Sequence, residues 1–133
     1  MKNILETAAD VGTFKIFIKA ILAAGLLDAL SEDGPFTIFA PTDEAFNKLP
    51  DGAIEDLLKD KEELTELLTY HVVSDRILTG SVKDHQSTAT ANGQHILFSF
   101  SDGVKINDAR IIESDINCSN GVIHVIDTVL LPR

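Results

Sequence analysis

The last apolar run of the chain, from Val122 to Leu131, constrains the fold more than any other segment. Its sequence is VIHVIDTVLL, which is apolar on both faces apart from His124 and Asp127. A strand with one solvated face alternates between apolar and polar residues, whereas a strand covered on both faces reads as a nearly continuous apolar run. We therefore predict a strand here in the middle of the fold, with other elements packed against both of its faces.

The remaining periodicity indicates an α+β domain, because helical spacing dominates the first half of the chain and alternation dominates the second. Apolar residues recur at helical spacing near residues 4–9, 14–22, 54–58 and 64–68, and residues 95–107 have the pattern of a hairpin. Phe36 to Ala40 predicts a strand that must end at Pro41. Thr42 is then the predicted N-cap of a helix, and a carboxylate at Asp43 suits the first turn of that helix.

The size of the chain favours one domain. A length of 133 residues with 44% hydrophobic residues is enough for one domain with a core and too little for two domains. We predict a single domain over residues 1–133, which needs neither a disulfide nor a metal for its stability. The lone cysteine, Cys118, cannot form an internal disulfide, and no Cys or His cluster has the spacing of metal ligands.

The charge of the chain limits its partners. Lys and Arg number 11 against 21 Asp and Glu, which gives a formal net charge of -10. Such a surface repels polyphosphates, so we predict no nucleic-acid partner. The apolar stretches are too short to cross a bilayer, so we also predict no membrane insertion. The N-terminus lacks the apolar core of a signal peptide, which leaves two possibilities: the protein stays inside the cell, or a leader has been removed.

Cys118, His124 and Asp127 are the residues that come nearest to a nucleophilic site. A catalytic thiolate needs a nearby imidazole that a third group orients. His124 and Asp127 differ by three positions, so on a strand their side chains point to opposite faces. We therefore predict no enzyme activity and no cofactor, with Cys118 serving as a small buried apolar residue.

Three dipeptides of Asn or Asp followed by Gly could belong either to loops that hold a ligand or to ordinary turns. They lie at residues 92–93, 102–103 and 120–121. Asn and Asp followed by Gly commonly form turns that need positive φ, and we predict that role for all three.

Three segments in order resemble the signatures of the fasciclin domain family. The segment FTIFAPTDEAFNKLP at residues 36–50 resembles the first signature, LLTYHVV at 67–73 the central Tyr-His motif, and NGVIHVIDTVLLP at 120–132 the second signature. The resemblance covers the whole chain, although Cys118 stands where a small Ala or Ser is more usual. It implies a compact β-sandwich or wedge with several helices packed around it, mainly from the N-terminal half.

The resemblance also implies a function. Family members are usually secreted, periplasmic or on the cell surface, so we expect a non-enzymatic interaction module that binds a protein or a cell-surface or matrix component. We expect it to act as a monomer. Some members bind carotenoids in a groove, so a carrier of a small apolar ligand is the alternative.

The Tyr-His motif has two interpretations. In animal members of the family this segment is implicated in adhesion to integrins, which by resemblance implies binding through Tyr70 and His71. The flanking binding residues would be Leu67, Leu68, Val72, Val73 and Ile77. The helical pattern favours a structural role instead, because His71 continues the buried stripe of Leu64, Leu67 and Leu68.

On the structural interpretation, His71 ties the end of a helix to a neighbouring loop, for which we suggest the loop of Thr42 and Asp43. A buried imidazole needs hydrogen-bond partners more than it needs a ligand. Tyr70 would cover the core with only its hydroxyl reaching solvent. Thr42, Asp43, His124 and Asp127 are expected to be structural residues of the two signatures.

Overall fold

The computed structural model of this chain describes residues 3–12, 14–30, 35–49, 52–75, 77, 87–99, 105–107 and 109–130. The described residues form six helices, all before residue 70, and seven strands. The helices are α1 (Ile4–Val11), α2 (Lys15–Ala24), α3 (Leu27–Leu30), α4 (Asp43–Asn47), α5 (Ala53–Lys59) and α6 (Lys61–Thr69). The strands are β1 (Phe36–Pro41), β2 (Val72–Val73), β3 (Ser87–Ala89), β4 (His95–Ser99), β5 (Lys105–Ile106), β6 (Ala109–Cys118) and β7 (Gly121–Ile126).

The strands form one mixed sheet in the order β2-β1-β7-β6-β5-β4-β3. The neighbours β1 and β7 are parallel, and every other neighbouring pair is antiparallel. The N–H of Ala91, just after β3, donates to the carbonyl oxygen of Val72 in β2 at 2.8 Å. Since β2 and β3 are the two edge strands, this bond brings the edges together and the sheet nearly closes.

The central position of β7 is confirmed, although the strand is shorter than predicted. All six of its residues are buried, and it lies between β1 and β6. The strand ends at Ile126, because Asp127 turns the chain and bonds instead to Arg110. The Asp127 N–H donates to the Arg110 carbonyl at 3.1 Å, and the Asp127 Oδ1 accepts from the Arg110 N–H at 2.9 Å.

Two hydrophobic cores lie on the two faces of the sheet. The helical core contains Ile123 and Val125 of β7 together with the buried faces of α1, α2, α4 and α6. The sheet core lies on the other face of β7, inside the curved sheet. It consists of Phe39, Tyr70, Val73, Ile77, Ile96, Phe98, Ile106, Ala109, Ile126 and Leu130. Alternate residues of β7 therefore serve different cores, which explains its continuous apolar sequence.

Local sequence signals set most element ends. Gly25 ends α2 with a φ of 74°, as its position after the apolar stripe predicts. Thr42 is the N-cap of α4, and its hydroxyl accepts from the Ala45 N–H at 3.1 Å. The predicted hairpin is present as β4 and β5, with Phe98 opposite Ile106. Its turn lies outside the described residues.

The prediction of a positive φ at Gly121 is wrong. Gly93 has a φ of 91°, as predicted, and the pair at 102–103 lies outside the described residues. At Gly121 the requirement is space, because a Cβ there would lie 1.9 Å from the carbonyl oxygen of Phe36 on the neighbouring strand. The preceding Asn120 is buried; its Oδ1 accepts from the Ile4 N–H at 3.0 Å and its Nδ2 donates to the Leu30 carbonyl at 2.8 Å.

Candidate functional site

The Tyr-His segment leads from the end of α6 into β2, and its side chains are buried. Tyr70 and His71 are each 1% exposed. The predicted flanking residues, which are also buried, are Leu67, Leu68, Val72, Val73 and Ile77. Leu67, Leu68 and Val72 belong to the helical core, whereas Val73 and Ile77 belong to the sheet core. The segment therefore passes from one core to the other.

The His71 imidazole joins two distant parts of the chain. The Leu130 N–H donates to Nε2 at 2.9 Å, across 59 positions of sequence. Since Nε2 accepts, Nδ1 carries the proton and donates to the carbonyl oxygen of Leu67 at 2.7 Å. The ring packs edge-on to Phe17 of α2, with centroids 6.1 Å apart. His71 thus fastens the end of α6 to the segment that follows β7.

Burial keeps this imidazole neutral. Desolvation lowers the pKa of His71 from 6.5 to about 4, and the hydrogen bond to the Leu67 carbonyl opposes that shift without overcoming it. Protonation of Nε2 would replace the acceptor of the Leu130 N–H with a second donor. The neutral form with its proton on Nδ1 is therefore the one that satisfies both hydrogen bonds.

The suggested partner loop of His71 is wrong, since the imidazole bonds to Leu130 rather than to the loop of Thr42 and Asp43. Asp43 instead caps the N-terminus of α2. Its Oδ1 accepts from the Ile16 N–H at 2.9 Å, in the first turn of α2. The N-cap residue of α2, Phe14, has no side-chain acceptor, so a carboxylate from α4 supplies the missing cap.

Tyr70 is more deeply buried than predicted, because its hydroxyl does not reach solvent but bonds within the protein. The hydroxyl donates to the His95 carbonyl at 3.0 Å and accepts from Asn107 Nδ2 at 3.0 Å. Asn107 has a φ of 53°, a left-handed conformation that Asn tolerates better than most residues. Tyr70 therefore connects α6 to β4 and to the turn after β5.

His124, Asp127 and Cys118 each bond to different groups. The His124 ring stacks on Phe39 of β1, with centroids 5.6 Å apart, and its Nε2 donates to the Ile77 carbonyl at 2.7 Å. The carboxylate of Asp127 accepts from the Arg110 backbone, and the Cys118 thiol lies 3.6 Å from the Ile116 carbonyl. Cys118 is buried in the helical core. Within the described part of the chain, no group of three His, Cys, Asp or Glu residues is placed to hold a metal ion.

A cleft of about 310 Å³ opens on the surface where α1, α4, β6 and the end of β7 meet. We call it the surface cleft, and its lining residues are Gly12, Thr42, Asp43, Glu44, Lys48, Ile112 and Asp127. Three of the seven are acidic, and Ile112 is 55% exposed. Lys48 crosses one side of the cleft, where its Nζ donates to the backbone carbonyl of Asp127 at 2.6 Å.

No sequence motif indicated the surface cleft. Thr42, Asp43 and Asp127 were singled out only as structural residues, and Ile112 was not singled out at all. One signal was available, because Ile111 and Ile112 are adjacent. On a strand, adjacent side chains point to opposite faces, so one of the two had to lie outside the sheet core. Ile111 packs against that core and Ile112 lies in the cleft.

Comparison with known proteins identifies relatives over nearly the whole chain. The protein sll1483 of Synechocystis sp. is 47% identical over 133 residues, which covers 98% of this chain and 73% of that relative. The uncharacterized protein sll1735 of the same organism is 40% identical over 131 residues and covers 98% of both chains. No helix among the described residues is long and apolar enough to span a membrane.

A solved structure shares the fold. It is a FAS1 domain pair from the insect cell adhesion molecule fasciclin I, which matches with a TM-score of 0.68 and 25% identity. The match covers 91% of this chain and 46% of the insect chain. This likeness confirms the predicted α+β wedge with packed helices. Residues 12–132 also match the family model for the fasciclin domain, so the chain belongs to the fasciclin domain family.

Proposed function

We propose that this chain is a non-enzymatic interaction module that binds another protein or a component of a cell surface or matrix. The observation that carries the proposal is the family membership, together with the likeness to a domain pair of an insect cell adhesion molecule. The net charge of -10 supports a partner with basic groups. We further propose that residues 1–133 act as a single domain and a monomer.

We propose an indirect role for Tyr70 and His71 in binding. Side chains that are 1% exposed do not touch a partner while the domain is closed, and both make hydrogen bonds inside the protein. They would support adhesion by holding α6, the curved sheet and the end of β7 in one arrangement. Contact with a partner would then occur through exposed residues, or after local opening of this segment.

The experiment is a saturation-binding measurement of the labelled chain on intact cells and on isolated surface material of its native source. The expected result is saturable binding that an excess of unlabelled chain displaces. An unrelated domain of similar size and charge is the control. Binding no stronger than that of the control would refute the proposal.

The alternative, a carrier of a small apolar ligand such as a carotenoid, is a prediction that no observation favours. Phe39 lies between Phe98, at 6.0 Å between ring centroids, and His124, at 5.6 Å, so aromatic side chains fill the middle of the sheet core. A ligand would therefore have to bind at the surface. Visible absorption and solvent extraction of protein purified from its native source would detect it.

A further inference from the structure

The surface cleft combines an exposed apolar side chain with charged side chains that are held in place. Ile112 is that apolar side chain, and Val11 next to the lining residue Gly12 is 41% exposed. The described residues include four large hydrophobic side chains that are exposed, and these are two of them. Single exposed apolar residues are ordinary on protein surfaces, whereas apolar residues that flank a cleft mark interaction sites more often.

Irregular pairing in β6 places Ile112 at this site. The pairing of β6 with β7 shifts register between Ile111 and Glu113 and again between Glu113 and Ile116. The residue that such a bulge adds has no partner on the neighbouring strand, and Ile112, whose side chain points away from the core that Ile111 contacts, is that residue. The strand thus turns an isoleucine toward solvent beside the acidic residues of the cleft.

The charged groups of the cleft are held in place from within the protein. Asp43 accepts from the Ile16 N–H and Asp127 accepts from the Arg110 N–H, so both carboxylates are fixed. Lys48, the cation among the described lining residues, bonds to a backbone carbonyl. Glu44 is exposed in the first turn of α4. Among the described residues, three carboxylates and one ammonium group therefore line the cleft.

We propose that the surface cleft docks an extended segment of a partner protein in which an arginine or lysine stands next to an aliphatic side chain. The aliphatic group packs on Ile112, while the cation lies near Glu44 and Asp43. This inference rests on the proposed interaction function and specifies its surface and partner chemistry.

Charge complementarity selects this occupant over a second copy of the chain. Each copy carries a net charge of -10, so two copies repel one another at long range, whereas a basic segment is attracted. The preorganised carboxylates reduce the cost of ordering the site when the segment binds. An arginine suits the site best, because its planar guanidinium can bond to a carboxylate through two donors at once.

The test is an NMR titration of the isotopically labelled chain with a short blocked peptide of Gly and Ser that has a central Leu-Arg-Leu. The expected result is a saturable set of amide shifts centred on Gly12, Glu44 and Ile112. Two peptides serve as controls: one replaces Arg with Glu, and the other replaces both Leu residues with Ser. Both controls should lose most of the shifts.

Two variants of the chain test the assignment of the site. Glu44→Gln should weaken binding of the Leu-Arg-Leu peptide by about two- to fivefold, as expected for an exposed ion pair. Ile112→Ser should weaken it by about fivefold through lost apolar contact. The matched controls are Glu62→Gln on α6 and Leu22→Ser on α2, since Leu22 is 54% exposed and Ile112 is 55% exposed. Neither control should change the affinity.

The proposal is overturned if the peptide causes no saturable shifts, if the shifts lie elsewhere, or if the variants and their controls bind alike. It is also overturned if the shifts arise from dimer formation, which sedimentation of the same samples would reveal. Failure here is distinct from failure of the proposed function. The decisive variant combines Ile112→Ser with Glu44→Gln. If it still binds cells and surface material of the native source, the proposed function stands and the cleft is refuted as its docking site.

Discussion

Replacement of His71 by Ala tests the structural role of the Tyr-His segment. The substitution removes the acceptor of the Leu130 N–H and the donor to the Leu67 carbonyl, both of which are buried. It also leaves a cavity beside Phe17, whose ring packs against the imidazole at 6.1 Å. We expect the folded state to lose stability before any contact with a partner is affected.

The expected loss can be estimated from these two effects. A buried polar group left without its partner costs about 1–3 kcal/mol. A large-to-small substitution in a core costs about 2–5 kcal/mol, including the cavity. The effects overlap, so we expect a total near 4 kcal/mol, a large part of the roughly 5–15 kcal/mol that stabilises a typical domain. With a urea m-value of about 1–3 kcal/mol/M, the midpoint should fall by about 2 M.

The assay measures the urea midpoints of three variants and, for each, its binding to cells and isolated surface material of the native source. Tyr70→Phe removes one hydroxyl whose partners, the His95 carbonyl and Asn107, lie nearer the surface, so it should cost less than His71→Ala. His71→Phe keeps an aromatic ring in place, somewhat larger than the imidazole, and loses both hydrogen bonds, so its cost should fall between those of the other two variants. A His71→Ala protein with native stability that no longer binds would refute the structural role and support direct recognition through the Tyr-His motif.

His71, Gly121 and Cys118 can each be tested by a single substitution. The pKa of His71 is 6.5 in the unfolded chain and about 4 in the folded protein, so the unfolded state takes up the proton first as the pH falls. The free energy of unfolding of the wild type should therefore decrease by about 3 kcal/mol as the pH falls from 6.5 to 4, and urea unfolding of His71→Phe should lack that part of the pH dependence. Gly121→Ala should lower the melting temperature more than Gly93→Ala, since at Gly121 the new Cβ would lie 1.9 Å from the Phe36 oxygen, whereas at Gly93 it would meet nothing within 4 Å and would add only the backbone strain of a φ of 91°. Cys118→Ala should cost no more than a few kcal/mol in urea unfolding and leave binding unchanged; loss of binding at native stability would contradict it.

Patterns that depend on nearby residues predicted the fold well. The run at residues 122–131 indicated a central strand because burial on both faces leaves its mark on each residue of the strand itself. The stripe of Leu64, Leu67 and Leu68 likewise placed His71 at a buried position. Thr42 was predicted as an N-cap because capping involves a side chain and an N–H only three residues away.

Interactions between distant residues could not be predicted in the same way. The partner of His71 lies 59 positions along the chain, and the N–H that Asp43 caps, that of Ile16 in the first turn of α2, lies 27 positions earlier. Local sequence shows that a buried imidazole needs a partner but does not say which N–H is near. Gly121 shows the same limit: the pair Asn-Gly predicts a turn, whereas the close approach of the Phe36 carbonyl depends on the parallel pairing of β1 with β7.

The Tyr-His segment and the surface cleft depend on the same part of the chain, the residues just after β7. His71 holds Leu130 from inside the protein, while Asp127, three residues earlier, lines the cleft from outside and bonds to Arg110 of β6. Loss of the His71 hydrogen bonds would free Leu130 at the end of this segment, and we expect part of that movement to reach Asp127, which stays bonded to Arg110. A buried histidine can therefore affect binding at a surface that it does not reach. Such a connection would let the motif influence binding while its side chains stay buried, and it predicts that His71→Phe alters the amide shifts of Asp127 more than those of Glu44, which lies in α4.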